Sequence, residues 1–316
     1  MKIEDGYIGL ILNPKSGSSS DKQLVRSFQQ YLREKGCDVR VSFTRSLEHV
    51  CELATQMAVD YNCRLVVSAG GDGTVRETAH GLEGSDKPLM IIPCGTENLL
   101  ANELGYPRHL DGLTAMFEQG DIRPLDIGSA NGQCFTSVAG VGFDGEVVHR
   151  MQSLRTGHIS HLTYFWPLWR TYWQYKFPPI EVQVDDKDVF SGRGLVFVGN
   201  ISRYAIGLQI LQKADTTDGL LDVCIYRCGN PWHLLRHAAA TVLKRHTRFC
   251  DVIYRQGRTV RISSSSPDIY TQLDGDPGPS LPLDVHIIPQ AIKVLTPAGA
   301  KPAGIRTRLK RIFQGS

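Results

Sequence analysis

Ten residues constrain this chain more than any other stretch: Leu65-Val66-Val67-Ser68-Ala69-Gly70-Gly71-Asp72-Gly73-Thr74. A short apolar run of buried-strand character, Leu65 to Val67, leads into three glycines, and helical spacing resumes at Val75. A strand that feeds a glycine turn and then a helix is a building unit of a parallel α/β sheet. Glycine permits tight or positive-φ geometry and lets backbone N–H groups approach an anion closely. The helix N-terminus that follows favours negative charge, so the junction reads as a phosphate site at the ligand edge of such a sheet. Asp72 is itself negative, which makes sense if a divalent cation stands between it and a phosphate. The plainer reading is a glycine-rich turn in which Asp72 caps the helix. No Gly-Lys-Ser/Thr follows, and the spacing is not that of a dinucleotide-binding Gly-x-Gly-x-x-Gly loop.

The first third of the chain repeats this alternation. Tyr7 to Leu12 is an apolar run that stops at Asn13-Pro14, and Asp21 is placed to cap a helix reaching Lys35, with Gly36 as its stop. Val39 to Phe43 alternates as a strand, Leu47 to Val59 has helical spacing, and Leu89 to Ile92 is another buried strand. The order predicts a parallel sheet with helices on both faces. Beyond Asp126, turn pairs become frequent: Asn131-Gly132, Asp144-Gly145, Asp218-Gly219 and Asp274-Gly275. Short alternating runs separate them, at 180–184, 194–198, 221–226, 259–262 and 283–287, as in a mostly antiparallel β-lobe. Two helical insertions are expected, near 159–176 and from Pro231 to Arg245. The expected organisation is an α/β domain over 1–126, a β-rich domain over 127–297, and a tail over 298–316.

Two further strand ends carry similar turns. Asn13-Pro14-Lys15-Ser16-Gly17 ends the first strand, and Gly95-Thr96-Glu97-Asn98 follows the strand ending at Pro93. Either alone is a common junction. Together with Gly70 to Thr74 they fall at the carboxyl ends of parallel strands, which converge on one sheet edge.

In this order the three motifs resemble the diacylglycerol kinase catalytic-domain family, which includes soluble bacterial lipid kinases and the sphingosine and ceramide kinases. The resemblance continues at Asp126, Gly140-Val141-Gly142-Phe143-Asp144, Ala214 to Asp222 and Asp274-Gly275-Asp276-Pro277, so it spans roughly 7–297. NAD kinases and phosphofructokinases are similar at the Gly-Gly-Asp-Gly-Thr loop but not at the later elements. The resemblance implies a parallel-sheet α/β nucleotide-binding domain of the NAD-kinase and phosphofructokinase kind, followed by a mostly antiparallel β-sandwich-like domain. It implies an ATP- and Mg²⁺-dependent lipid kinase, with diacylglycerol or a sphingoid-type lipid as acceptor.

Carried over by position, ATP contacts fall on Asn13, Thr44, Gly70, Gly71, Asp72, Gly73, Thr74, Gly95 and Thr96. Asp126 falls on an acid of the active-site Mg²⁺ and water network. Asp215, Asp218 and the Leu220 carbonyl fall on a second, structural Mg²⁺ site, and Asp274 on the catalytic base. Asp72, Asp126 and Asp274 form the implied catalytic set. The two chemistries agree, since Mg²⁺ prefers oxygen donors. Read without the resemblance, Asp218-Gly219 and Asp274-Gly275 are turns. This chain departs from many relatives at Asp276, where Glu is usual, and at Arg203-Tyr204-Ala205-Ile206-Gly207, where glycines cluster. Two other readings stand beside the lipid kinase: a small-molecule kinase of the NAD-kinase type, and a catalytically inactive lipid-binding module.

Charge adds to the question of partners. The 316-residue chain carries a formal +3, too little to imply nucleic acid, and five basic residues with no acid lie from Lys301 onward. Without those five the remainder stands at −2. The tail can place Ile305, Leu309, Ile312 and Phe313 on one helical face amid Arg306, Arg308, Lys310 and Arg311, the composition of an interfacial basic helix. Leu162, Phe165, Trp166, Trp169 and Trp173 also fall at helical spacing, interrupted by Pro167. Besides the lipid substrate, the expected partner is an anionic membrane surface touched peripherally, and a homodimer is left open. The start has no signal-peptide pattern, no apolar run reaches a membrane span, and the eight cysteines are scattered. The expectation is a cytoplasmic protein with reduced thiols, peripheral at the inner membrane face.

Overall fold

A computed structural model describes residues 6–153, 169–267 and 269–299. The chain divides into two compact units. The first contains residues up to Ile127, Asp215–Asp218 and the chain from Ile288 on; the second contains Gly128–Ala214 and Gly219–Ile287.

In the first unit, β1 (Tyr7–Leu12), β2 (Asp38–Phe43), β3 (Cys63–Gly70) and β4 (Pro88–Pro93) form a parallel sheet in the order β4-β3-β1-β2. Ile8, Ile11, Leu65, Val66, Val67 and Leu89 to Ile92 are fully buried. Continuous burial of this kind belongs to strands covered on both faces. Between them run α1 (Ser19–Glu34), α2 (Leu47–Val59) and α3 (Asp72–Gly81), with α4 (Leu99–Glu103) and α5 (Leu110–Gln119) following β4. Asp21 is not the cap of α1. Ser18 is, in a capping box where its Oγ accepts from Asp21 N–H while Asp21 Oδ2 accepts from Ser18 N–H at 2.8 Å. Gly36 does stop this helix, at φ +81°. Residues 293 and 294 pair in parallel with Pro88 and Leu89, and the Asp126 N–H donates to the Thr216 carbonyl at 2.9 Å. These bonds are why 215–218 and the last strand pack with the first unit.

The second unit is antiparallel throughout its described strand pairs. It holds β6 (Gln133–Phe135), β7 (Val138–Val141), β8 (Pro179–Val184), β9 (Lys187–Gly199), β10 (Arg203–Tyr204), β11 (Leu208–Gln209), β12 (Leu221–Arg227), β13 (Val252–Gly257), β14 (Thr259–Ser263), β15 (Thr271–Leu273) and β16 (Asp276–Pro277). It also takes in Gly128 to Ala130 of β5 (Asp121–Ala130) and the first half of β17 (Leu283–Thr296). The order β16-β15-β7-β9-β8-β14-β17 carries β12 beside β9 and β13 beside β12. β9 pairs with β8 over 187–193 and with β12 over 194–199, so one long strand serves two sheets. Their inner faces meet in a core that includes Phe135, Val141, Ile180, Val196, Val198, Leu221, Val223, Val260 and Ile262. This is the β-sandwich-like second domain the sequence implies.

One turn expectation fails: Asp144-Gly145 lies in the first turn of α6 (Phe143–Ser153). Glycine is needed there for a close approach, because a Cβ on Gly145 would lie 2.2 Å from the Tyr270 carbonyl oxygen. Of the aromatic insertion, residues 154–168 lie outside the described residues, while 169–174 are helical (α7). α8 (Pro231–Val242) starts at Asn230, whose side chain accepts from His233 N–H at 2.9 Å. It stops before Arg245 because Lys244 takes a left-handed conformation, φ +55°. The basic part of the tail, 300–316, lies outside the described residues. Among the described residues no helix is long and apolar enough to cross a membrane.

Candidate active site

The parallel register brings the ends of four strands into one row. Leu12 lies opposite both Phe43 and Ala69, and Gly70 opposite Pro93. The next residues are therefore neighbours on the carboxyl edge: Asn13, Thr44, the Gly71 loop and the Cys94-Gly95 turn. Side chains and backbone tie these loops together. Thr44 N–H donates to the Leu12 carbonyl, Asn13 N–H to that of Ala69, and Cys94 N–H to that of Gly70. Asn13 Nδ2 donates to Thr74 Oγ1 at 3.2 Å.

The glycines are present for contact. A Cβ on Gly70 would sit 2.5 Å from Thr74 Oγ1, and one on Gly95 would sit 2.7 Å from the Cα of Gly71. The two glycine loops thus press backbone to backbone. Asn98 holds the Gly95 turn by a double bond to one residue: Oδ1 accepts from Gly95 N–H at 2.7 Å, and Nδ2 donates to the Gly95 carbonyl at 2.6 Å. Asn98 itself is left-handed, φ +48°, a conformation asparagine tolerates. Its role in holding the Gly95 turn is not read from the sequence, although its spacing from Gly95 is visible there.

Helix α3 begins at Asp72 with Gly71 as its N-cap, and no side chain caps it. A helix start with amide donors and no competing side chain is an anion site. Asp72 turns away from its own helix: Oδ1 accepts from Leu99 N–H, the first residue of α4, at 2.6 Å. The acid of the loop is therefore a charge-assisted cap for the neighbouring helix, which locks the two loops in register. Thr96 is exposed on the same edge, and Arg108 Nη2 reaches the Gly95 carbonyl at 3.5 Å.

The remaining predicted residues gather elsewhere. Asp126 is buried in β5; its Oδ1 accepts from Gln290 N–H at 2.7 Å, and its own N–H holds Thr216. It thereby anchors the loop that carries Asp215 and Asp218. Asp215 Oδ1 accepts from Thr217 N–H at 3.1 Å and from Thr217 Oγ1 at 2.8 Å. Asp218 is exposed. Two carboxylates and the Leu220 carbonyl along one turn are an all-oxygen donor set, which fits Mg²⁺ and would suit a softer metal poorly. Asp222, next in this stretch, is fully buried and serves Tyr254 and Gln256 instead.

In the second unit Asp274 and Gly275, at φ +51° and +84°, make the two-residue turn between β15 and β16. The turn reading and the acid coexist. Asp274 Oδ1 accepts from Ser137 and Val138 N–H at 2.8 and 3.0 Å; Oδ2 accepts from Thr136 N–H and Thr136 Oγ1 at 2.7 and 3.1 Å. Asp276 stands on β16, half-buried, where Leu273 pairs with it. Gln272 supports the turn, its Oε1 accepting from Gly275 N–H at 2.7 Å. On its other side, Gln272 Nε2 donates to the Val138 carbonyl at 3.4 Å and lies near the carboxylate of Asp144, whose Oδ1 accepts a short hydrogen bond from the Tyr204 hydroxyl while its Oδ2 is buried without a hydrogen-bond partner. Tyr204 belongs to the 203–207 segment where this chain lacks the usual glycines. Asp144 is half-buried as a residue, but its carboxyl is sealed from solvent. Burial pushes that carboxyl up to about 6, against the lowering effect of the Tyr204 hydrogen bond. The closeness of Asp144 and Gln272 is not legible in the sequence, since 128 positions separate the two residues.

A glycine-loop edge on a parallel α/β unit, followed by an antiparallel sandwich-like unit, defines a fold class rather than a single protein. Residues 8–130 match the diacylglycerol kinase catalytic domain, and residues 137–296 match the YegS C-terminal NAD kinase beta sandwich-like domain. The chain belongs to this family of kinases. It is similar to a diacylglycerol kinase of Mycobacterium tuberculosis, at 28% identity over 306 residues, covering 93% of this chain and 96% of that one. A diacylglycerol kinase of Bacillus subtilis is likewise 28% identical over 293 residues, covering 91% and 95%. Among solved structures, that of a diacylglycerol kinase from Bacillus anthracis superposes with a TM-score of 0.72 at 19% identity, covering 95% of this chain and all of that one.

Proposed function

We propose that this protein is a cytoplasmic ATP- and Mg²⁺-dependent lipid kinase that transfers the γ-phosphate of ATP to a lipid hydroxyl, with diacylglycerol as the leading acceptor. The observation that carries the reading is the stitched loop edge. An uncapped helix start at Gly71 and two glycine turns in backbone contact suit the binding of a polyphosphate. The kinase family and the names of the similar proteins support the acceptor class.

In the reaction, the lipid hydroxyl oxygen bonds to the γ-phosphorus, the bond to the β,γ-bridging oxygen breaks, and ADP leaves. Asn13, Thr44, Gly70, Gly71, Asp72, Gly73, Thr74, Gly95 and Thr96 hold ATP, mostly through backbone amides. Asp126 belongs to the same Mg²⁺ and water network. Mg²⁺, when bound, neutralises charge on the phosphates; a second ion on Asp215, Asp218 and the Leu220 carbonyl would fix the 215–220 turn. Asp274 takes the hydroxyl proton. Among the four donors named above, only the Thr136 hydroxyl can rotate away, which supports Oδ2 as the proton acceptor. Thr136→Val should therefore leave the hairpin folded and alter the pH profile of kcat.

The decisive measurement is transfer from γ-labelled ATP across diacylglycerol, sphingoid, ceramide and glycerophospholipid acceptors and NAD, with and without Mg²⁺. Labelled lipid only with Mg²⁺ is the expected result. Label on NAD alone would establish the small-molecule kinase reading, and no label with retained lipid binding would establish an inactive lipid-binding module. A second expectation concerns Gly95→Ala. Its Cβ would meet Gly71 Cα at 2.7 Å and Asn98 Oδ1 at 2.9 Å, so the loops must part. The KM for ATP should rise roughly tenfold, with stability lower by about 1–3 kcal/mol. An unchanged KM in ATP titrations would remove the loop contact from ATP binding.

A further inference from the structure

Helix α8 presents its faces the wrong way round for a helix of a soluble core. The side chains it buries are small or polar, His237, Ala240 and Thr241, with Leu234 half-buried beside them. The opposite side carries Trp232, Leu235, Ala239, Val242 and Leu243, at the i, i+3, i+7, i+10 and i+11 spacing of one helical stripe. All are exposed, Trp232 at 66%, Leu235 at 52%, Val242 at 64% and Leu243 at 65%. Ordinary packing of an amphipathic helix would have put this stripe inward.

The patch extends at both ends. At the N-terminal end Trp232 meets Trp173 of α7 edge to face, ring centroids 5.8 Å apart, and Trp173 in turn meets Trp169 at 5.7 Å. Tyr172 fixes α7 to α8 by donating its hydroxyl to the Pro231 carbonyl at 2.6 Å. Trp169 and Trp173 are themselves nearly half exposed. At the C-terminal end lie exposed Lys244, Arg245, Arg248 and Phe249.

Charge says what would cover it. Residues 223–250 contain five Lys or Arg (227, 236, 244, 245 and 248) and no Asp or Glu. Arg236 is neutralised by Asp251 and Arg227 lies over the Phe190 ring, which leaves Lys244, Arg245 and Arg248 as a basic cluster at the C-terminal end of an apolar, tryptophan-rich stripe. A second copy of the chain is a poorer partner, since neither copy's 223–250 segment carries an acid to pair with the other's cations. Tryptophan, large aliphatics and Lys/Arg together are the composition that lies in the interface of an anionic bilayer.

We propose that the outer face of α8, with Trp169 and Trp173 of α7, docks the protein on anionic lipid bilayers. The proposal rests on the lipid-kinase reading for its purpose but not for its geometry. Docking sets Trp232, Leu235, Val242 and Leu243 into the headgroup boundary, while Lys244, Arg245 and Arg248 face the lipid phosphates.

The test is sedimentation of the full chain with vesicles of phosphatidylcholine, alone or mixed with phosphatidylglycerol. The wild type should bind the mixed vesicles, weakly at high salt, and the variant Leu235→Glu/Leu243→Glu should bind them roughly tenfold less or weaker still. Both substitutions are at exposed positions. The variant should phosphorylate a water-soluble short-chain diacylglycerol as fast as the wild type, which checks its folding. For the wild type alone, quenching of tryptophan fluorescence by brominated lipids gives an independent reading that needs no variant. Equal vesicle binding by variant and wild type, or absence of quenching, overturns the proposal. So does a wild-type dimer that the variant abolishes while vesicle binding persists. Vesicle binding lost in the variant of a protein that phosphorylates no lipid would uphold the docking face and remove the kinase reading instead.

Discussion

Asp72→Ala is expected to lower kcat by about 10²–10³, the effect of removing one electrostatic stabiliser from a polar active site. Two losses are combined in that number, and a second substitution separates them. The first is positional. Asp72 Oδ1 holds the Leu99 N–H, so alanine releases the start of α4 and with it the Gly95 turn held by Asn98. A charge-assisted bond of this kind contributes about 1.5–3 kcal/mol. The second is the negative charge beside the phosphate loop, which matters only if a cation stands there. Asp72→Asn keeps an acceptor for Leu99 and removes the charge. The asparagine variant should therefore recover most of the alanine variant's lost thermal stability while its kcat stays as low. If asparagine restores turnover as well, Asp72 acts as a helix cap and not through a metal. Near-normal turnover in a folded Asp72→Ala protein would sink both roles.

Asp72 also shows what a sequence can and cannot convey. The Gly70 to Thr74 loop is legible because glycine spacing at a strand end leaves few geometries, and the strands on either side are plain apolar runs. Both alternatives weighed for Asp72 were framed around its own helix or an ion. The third possibility, a cap for a helix 27 residues further on, depends on a register that no local pattern encodes. The same reason hides the return of 215–218 and 288–299 to the first unit: Asp126 makes those connections through Thr216 and Gln290, far along the chain. α5 escaped notice for a chemical reason. Its cap is His109, through Nδ1 at 3.1 Å from Gly112 N–H, and histidine is not a residue that announces a helix start. In α8 the stripe of Trp232, Leu235 and Leu243 is visible in the sequence, but periodicity alone assigns an apolar stripe to the core. Only the fold shows that His237 and Thr241 point inward instead.

The pH dependence of stability should be governed in part by Asp144, a group the sequence presents as half of a turn. Its carboxyl is raised by burial from 3.8 to about 6 in the folded chain. Between those values the folded protein holds a proton that the unfolded chain has already released. Stability contributed by this group is therefore greatest below about pH 4, falls as pH rises, and levels off above about pH 6. A rise of about two units corresponds to roughly 3 kcal/mol. Asp144→Asn keeps the shape and an acceptor for Tyr204 but carries no proton to lose. At about pH 8 the variant should be more stable than the wild type by up to roughly 3 kcal/mol, with Tm higher by about 5–10 °C. At about pH 4 the two should coincide, and calorimetry across this range reads the difference directly. The gain should come with a cost in turnover. Gln272 Nε2 lies near the Asp144 carboxylate, and its Oε1 accepts from Gly275 N–H beside Asp274. An asparagine at 144 removes the negative charge that favours this orientation of the amide, so the turn bearing Asp274 is held less firmly. A variant that gained stability at high pH with unchanged kcat would confine Asp144 to a structural role. One that kept the wild-type pH slope would place the titration on another group.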